Sequence, residues 1–395
     1  MNGAMRELGE KRSAIRELFE YGKRRKAEIG EENVFDFSIG NPSVPAPDAV
    51  RDALVELLQN TDPVALHGYT SAQGDANVRR AIADYLNRTY AAGADPERIY
   101  LTAGAAASLA ISLTALLTPG DEVILLAPFF PEYRVFAERT GAKVVPVPAD
   151  HATFQPDLAA LEQAITPKTR AVLVNSPNNP TGAVLTEQTV IRLSDLLKKK
   201  QKQYGEPIFL IADEPYRELV WGNVPVPYLT RYYDNTLVCY SFSKSLSLPG
   251  ERIGYLLVSP RADRAGEVYA AVCGAGRALG YVCAPSLFQF LIPHCLGMTS
   301  DLSVYAENRE LLSRALRECG FRVIEPDGAF YLFVESPDTD ANRFAERAKQ
   351  MELLLVPSDS FGCPGFVRIS YCVSTAMIRR SLPAFRTLAK SYGLG

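Results

Sequence analysis

A lysine set between serines, in "SFSKSLSLPGERIGYL", closes an apolar run, and Arg252 follows it eight residues later. A lysine drawn away from water and placed beside other cations gives up its proton readily and becomes a nucleophilic amine. Two hydroxyls, Ser241 and Ser243, and the planar fork of Arg252 suit a phosphate dianion. Taken alone, Lys244 reads as a solvated loop lysine; these neighbours are what argue for chemistry.

Other polar residues stand at the ends of apolar runs in the same way. After "RIYL" comes "TAGAAASL" (Thr102 to Leu109), small residues that let a phosphate approach backbone amides at a helix start; a tight turn packed on a sheet reads equally well. After "EVILLA" comes "PFFPEY", where Phe129 or Phe130 stacks on a planar ring or fills a core. After "AVLV" comes "NSPNNPTG", a polar turn able to aim an amide inward. After "IFLI" come Asp213, Glu214 and Tyr216, and an acid in that place is costly to bury unless something positive meets it. "FVRISY" puts Arg368 inside an apolar strand, where a guanidinium needs a carboxylate, from an internal salt bridge or from a ligand.

The elements that must position these residues alternate along the chain. Seven short apolar runs ("RIYLTA", "EVILLA", "KVVPV", "AVLVNS", "IFLIADE", "LVCYS", "RIGYLLV") are continuous rather than alternating in polarity, as in strands buried on both faces of a mainly parallel sheet. Helix-length stretches (106–117, 131–140, 186–204) lie between several of them, the βαβ pattern of an α/β domain. Beyond about residue 290, helical stretches (301–319, 341–349, 375–390) enclose strands "FRVIEP", "GAFYLFV", "LLLV" and "FVRISY", predicting a smaller α+β domain. The first 30 residues read as one helix with a thin apolar stripe of Leu8, Ile15, Leu18 and Phe19.

Composition narrows the function classes. A chain of 395 residues, 47% hydrophobic and 22% charged with net charge −3, offers no acidic or basic tail and no attraction for nucleic acid or anionic membrane. The seven cysteines carry no C-x-x-C pair and read as reduced thiols, and His67, His151 and His294 are not at ligand spacing, so no zinc or di-metal site is expected, carboxylate-only magnesium binding staying open. An N-terminus rich in glutamate fits neither a transit nor a signal peptide, and a cytoplasmic protein is expected.

An imine-forming amine, an acid for a pyridine nitrogen, two groups for a ring hydroxyl, an aromatic partner and a phosphate cup together describe pyridoxal phosphate. From about Phe37 onward the sequence resembles the fold type I, class I/II aminotransferases of the aspartate aminotransferase kind. The motifs are "GYTSAQGDANVRRAIADYL", "NSPNNPTG", "DEPYREL", "SFSKSLSLPGERIGYL", "PDGAFYLF" and "VRISYC". The resemblance implies a large domain (46–290) with a mainly parallel seven-stranded sheet sandwiched by helices, a small domain (291–395), and an N-terminal segment (1–45) packed on the small domain or a partner.

The resemblance also implies roles. Lys244 is the Schiff-base lysine and proton shuttle, Asp213 pairs with the pyridinium nitrogen, Asn179 and Tyr216 bond the phenolic oxygen, and Phe130 stacks on the ring. Ser241, Ser243, Arg252 and the backbone of Ala105, Ala106 and Ala107 hold the phosphate, joined by Tyr69 from the other subunit of a homodimer. Arg368 reads the substrate's α-carboxylate, with Gly40 lining the pocket by its backbone. The implied reaction is transfer of an amino group between an L-amino acid and a 2-oxo acid.

One departure bears on substrate choice. Some aspartate-preferring relatives carry a lysine in the phosphate-turn segment, whereas "AGAAAS" carries no charge; Arg277 reads either as a reader of a distal carboxylate or as an exposed ion pair.

Rival readings are weaker. "SFSK" satisfies S-x-x-K, but no K-T-G follows it. "GAGRALG" has the wrong spacing for a dinucleotide loop. The roughly 35 residues before the resemblance are too few for a DNA-binding module. A β-eliminating C–S lyase of the same fold uses the same Lys, Asp and Arg and is the alternative reaction.

Overall fold

The computed structural model describes residues 1–10 and 13–395. A short strand, β1 (Phe35–Asp36), precedes seven that build the large sheet: β2 (Ile99–Thr102), β3 (Glu122–Leu126), β4 (Lys143–Val147), β5 (Thr169–Asn175), β6 (Phe209–Asp213), β7 (Thr236–Ser241) and β8 (Gly254–Val258). The remaining strands are β9 (Val323–Ile324), β10 (Tyr331–Glu335), β11 (Leu353–Leu354), β12 (Val356–Pro357) and β13 (Phe366–Ser370).

The large sheet has the order β2-β8-β7-β6-β5-β3-β4, and its strands β4, β3, β5, β6 and β7 pair in parallel. Their apolar runs are continuous because helices cover both faces, so β6 and β7 are buried at every position. Three clusters of buried side chains flank the sheet, one of them between it, the helix Ala105–Leu116 and the helix Ala265–Leu279. β8 runs against both its neighbours. Two reversals restore direction, so β2 points the same way as β7, and the C-terminal ends of β2, β5, β6 and β7 share one edge of the sheet. Thr102, Asn175, Asp213 and Ser241 end those strands, and so the polar residues that punctuate separate runs in the sequence converge in space.

A second, four-stranded sheet, β12-β13-β10-β9, is antiparallel and backs onto its own apolar cluster, in which Phe37 and Val44 pack beside Phe330, Leu332 and Ile369. Residues 37–40 run along it, tied by Ser370 N–H to Phe37 C=O at 3.0 Å. The sequence run "LLLV" is two strands instead of one: β11 pairs with β1 in a two-stranded sheet, and β12 pairs with β13.

The N-terminal stretch differs from its sequence reading. It forms two helices, Gly3–Glu10 and Ala14–Ile29, with Ser13 capping the second through a hydrogen bond from Arg16 N–H at 3.4 Å. Leu8 and Phe19 of the expected apolar stripe are exposed, while Ile15 is half-buried and faces the site described next. Residues 11 and 12 lie outside the described residues.

Candidate active site

A cavity of ≈ 290 Å³ opens where the shared strand edge meets β10 and β13 of the small sheet. Lys244 reaches it by simple local means. β7 ends at Ser241, whose hydroxyl accepts from Ser243 N–H at 3.3 Å and so caps a single helical turn, Phe242–Ser245. That turn throws Lys244 back toward the cavity, where Nζ donates to Gly40 C=O at 2.6 Å. Burial, aided by the Arg252 and Arg368 charges, lowers the lysine's pKa to about 8.

Asp213 closes β6 directly opposite Asn175, the last residue of β5. Asn175 donates to the Asp213 carbonyl at 2.9 Å and accepts the Asn179 amide at 2.7 Å, which folds "NSPNNPTG" back onto its own strand and aims Asn179 inward. Tyr133 donates to Asp213 Oδ2, whereas Oδ1 is buried without any hydrogen-bond partner among the described residues. Burial raises the carboxyl pKa to about 7, with neighbouring Glu214 adding to the rise. Glu214 itself does meet the cation an acid in that place requires, Arg217 at 2.6 Å.

Arg368, in the middle of β13, is 2% exposed. Its guanidinium donates to Asn179 Oδ1 at 3.0 Å and to the Ser38 carbonyl, and lies over the Tyr331 ring at 4.7 Å. Among the described residues no carboxylate pairs with it, and Nε has no partner. An internal salt bridge, one of the two readings of this arginine in the sequence, is therefore absent there. Tyr331 also bonds Tyr216 at 2.9 Å, and a Cβ on Gly40 would collide with Tyr331 Oη.

At the opposite end the helix Ala105–Leu116 starts with Gly104 as its N-cap at φ 79°. The first amides of a helix have no intrahelical acceptor, so Ala105 and Ala106 N–H are available there. Arg252, itself at φ 54°, lays its guanidinium against Gly104, bonding the Ala103 carbonyl at 3.2 Å and the Pro249 carbonyl at 3.0 Å. The hydroxyls of Ser241 and Ser243, 2.6 Å apart, lie at the same end.

Most expected residues thus meet in one cavity: Gly40, Ala105, Ala106, Phe130, Asn179, Asp213, Tyr216, Ser241, Ser243, Lys244, Arg252 and Arg368 all line it. Ala107 does not; it is buried, and its amide is taken by Gly104 C=O at 3.1 Å. Phe129 is core, packed under Gly362. Tyr69 is 99% exposed and, like Arg277, stands outside the cavity of its own chain. Tyr133, Asn175, Tyr331 and Ile15 also line the site and were not singled out in the sequence. Tyr133 sits in the first turn of the helix Glu132–Glu138, and its ring meets that of Phe130, which precedes the helix, edge to face at 5.7 Å.

The sequence pattern of the family Aminotransferase class I and II matches residues 32–385. The chain belongs to the class I and II aminotransferases. It is 31% identical to an aspartate aminotransferase of Thermotoga maritima over 93% of this chain and 95% of that one. It is 28% identical to an aromatic-amino-acid aminotransferase of Thermococcus litoralis over 96% of each. A solved structure of an amino transferase from Eubacterium rectale superposes with a TM-score of 0.97 at 58% identity, covering 99% of both chains.

Aminotransferases of this family use pyridoxal phosphate and act on amino acids and 2-oxo acids. The residues present fit that cofactor. The partnerless Asp213 Oδ1 calls for a buried proton donor, which a pyridinium nitrogen is. A guanidinium, two hydroxyls and a helix N-terminus converge where a phosphate would lie. Gly104 gives a direct check of that end. A Cβ there would come within 2.7 Å of Arg252 Nη2 and would have to adopt a positive φ. Gly104→Ala is expected to weaken cofactor retention by ~10-fold or more, measured as the dissociation constant of apoprotein for pyridoxal phosphate, because strain of this kind is worth ~1–3 kcal/mol.

Proposed function

We propose that this aminotransferase moves an α-amino group from an L-amino acid to a 2-oxo acid in this cavity, with Lys244 as the working amine. Bound pyridoxal phosphate supplies an electron sink for the charge left on Cα when its proton departs. Lys244 Nζ takes that proton and later returns it, a task matched to an amine whose pKa burial has lowered to about 8. Asp213 Oδ1 would hold the proton on the ring nitrogen, while the Tyr133 hydroxyl on Oδ2 keeps the carboxyl group oriented. Phe130 would pack on the ring face, and Asn179 and Tyr216 would orient the ring oxygen. Ser241, Ser243, Arg252 and the free amides of Ala105 and Ala106 would anchor the phosphate, without Ala107, whose amide is taken by Gly104 C=O.

The observation that carries the reading is Arg368. A buried guanidinium left without a carboxylate among the described residues, opening on the same cavity as an amine and a lone acid, suits a substrate's α-carboxylate. Arg368→Ala is expected to raise KM for the amino acid by ~10²-fold or more, since truncating a buried charge partner costs ~2–5 kcal/mol. The Tyr216–Tyr331 pair stays in place, so kcat falls less.

Amino transfer itself is tested by mixing the holoenzyme with amino acids in the absence of acceptor. One equivalent of 2-oxo acid per site, followed by continuous turnover only after a second oxo acid is added, is the expected result. Ammonia and pyruvate accumulating without acceptor would make the chain a C–S lyase instead.

A homodimer with shared sites is part of this reading. Tyr69 is wholly exposed on a loop tied down by Cys283 N–H to Ala72 C=O at 3.2 Å, next to exposed Tyr281 and Val282, which suits a tyrosine held out to a second copy's phosphate. Residues 46–290 and 291–395 are read as the two bodies that bracket the cavity, with residues 1–45 joining the second through Phe37 and Val44. A cytoplasmic location accords with seven free thiols.

A further inference from the structure

We propose that Phe154 is a positioning residue for substrate binding: it seats the loop 150–156 on the face of the small sheet from which Arg368 enters the cavity, and so sets where that guanidinium stands. This rests on the amino-transfer reading above, which gives Arg368 its carboxylate.

Strand geometry puts the arginine and an aromatic seat on one surface. Arg368 lies directly opposite Phe333 across the β13–β10 ladder, and Phe366 is two residues away along β13, so the three side chains project from the same face. Val367 and Ile369 project from the other, into the apolar cluster of the small sheet. On the Arg368 face the Phe333 and Phe366 rings stack with centroids 4.6 Å apart. The Phe154 ring stands edge-on to both, at 5.4 and 5.7 Å.

That ring arrives from the large sheet. Residues 150–156 follow β4, and of these only Phe154 is buried, while His151, Ala152 and Thr153 are exposed. It sits at φ 52°, a costly conformation for a bulky side chain that persists where surrounding contacts hold it. Asp150 shapes the turn: its carboxylate accepts from Ala152 N–H at 3.0 Å and Thr153 N–H at 2.8 Å, and its carbonyl from Phe154 N–H at 2.7 Å. Gln155 fastens the loop to the segment following Asn179, donating to Val184 C=O at 2.9 Å and accepting from Thr186 N–H at 3.1 Å. Asn179 Oδ1 in turn accepts from Arg368 at 3.0 Å. One loop thus holds both the strand that carries the guanidinium and the turn that meets it.

A planar fork reads a carboxylate through two parallel hydrogen bonds, and a misplacement of about 1 Å can cost such an arrangement ~10²-fold. Removing the Phe154 ring leaves space into which Phe333, Phe366 and with them β13 can shift. The phosphate end, with Ser241, Ser243 and Arg252, takes no part in this aromatic contact.

The test uses single-turnover half-reactions of the holoenzyme with whichever of alanine, leucine, phenylalanine, aspartate and glutamate the wild type converts fastest. These give the maximal rate and the donor's apparent dissociation constant, and calorimetry gives the affinity of the same acid without its amino group. Phe154→Ala is expected to weaken both donor and unreactive acid by ~10-fold or more, with the maximal rate and the affinity for pyridoxal phosphate changed by less than ~3-fold. Phe154→Leu, which refills most of the space, should recover most of the loss. Phe154→Gly removes the ring together with the φ constraint and carries the comparison if Phe154→Ala folds poorly. The deciding measurement is a double-mutant cycle: since Phe154 acts through Arg368, adding Phe154→Ala to Arg368→Ala should weaken the donor by less than ~3-fold more. Full additivity of the two substitutions, or a lower melting temperature with donor affinity unchanged, overturns the proposal and leaves amino transfer standing. No conversion of any donor by the wild type would sink the amino-transfer reading and the proposal with it.

Discussion

Replacing Lys244 by alanine lowers amino transfer by at least ~10⁴-fold, because both the nucleophilic amine and the group that carries the Cα proton are lost. The substitution leaves the architecture of the site intact. Ser241 still caps the turn, the two serine hydroxyls remain paired at 2.6 Å, and Arg252 still rests on Gly104. The phosphate end therefore continues to hold the cofactor, and loss of chemistry is separable from loss of binding. A second consequence concerns pH. Only the neutral amine attacks an aldehyde, and burial places the Lys244 pKa at about 8. Cofactor capture by the wild-type apoprotein should accelerate about tenfold per pH unit below that value and level off above it. An exposed lysine would go on accelerating toward its ordinary 10.5. Stopped-flow absorbance of apoprotein mixed with pyridoxal phosphate across pH 6 to 10 separates the two.

The Asp213→Asn variant is expected to lose ~10³-fold in turnover, the size of effect seen when a preorganised charge facing the reacting system is removed. Asparagine keeps the shape and still accepts the Tyr133 hydroxyl, yet it holds no proton on a ring nitrogen. The same acid leaves a signature in the cofactor-free protein. Its pKa is raised from an ordinary 3.8 to about 7, so the folded state binds a proton that the unfolded chain releases. Between those values stability falls as pH rises. The contribution is complete below about 4 and is lost through about 7, and a gap of this size corresponds to about 4 kcal/mol. Glu218, also held at about 7 by burial, adds a share of the same sign. Thermal denaturation of the apoprotein from pH 4 to 8 should thus show a decline in the wild type and a visibly shallower one in Asp213→Asn. An equal slope in both would mean that Asp213 is ionised in the empty site.

Much of the framework was legible because burial on both faces leaves a plain mark. Each of the seven continuous apolar runs is a strand of the large sheet, and the polar residue closing a run marks the sheet edge where a ligand can sit. Asp213, Lys244 and Arg368 stand out for one reason: each is a charged residue where an apolar neighbourhood makes charge costly. The direction of β8 was not legible from its apolar content. Its signal is the short link from Ser241 to Gly254, which holds only a one-turn helix and so favours an antiparallel return over a helical crossover.

"LLLV" could not be divided in the sequence because apolar content does not tell which neighbour a strand pairs with; β11 and β12 take different partners on either side of Leu355. The residues missed at the site were missed for a related reason. Tyr331 and Ile15 enter the cavity from elements whose packing against the large sheet is a tertiary matter, and Asn175 looked like one turn residue among several. Tyr69 and Arg277 show the limit from the other side, since an exposed residue gives no sign within its own chain of what it meets.

The most direct test of the account is to reduce the cofactor-loaded protein with borohydride, digest it, and locate the cofactor's mass by peptide sequencing in a mass spectrometer. The expected result is a single modified residue, Lys244, with the label absent when the Lys244→Ala variant is treated in the same way. A label on any other lysine, or wild-type protein that releases all its cofactor after reduction, would contradict the assignment of this cavity as the site of amino transfer.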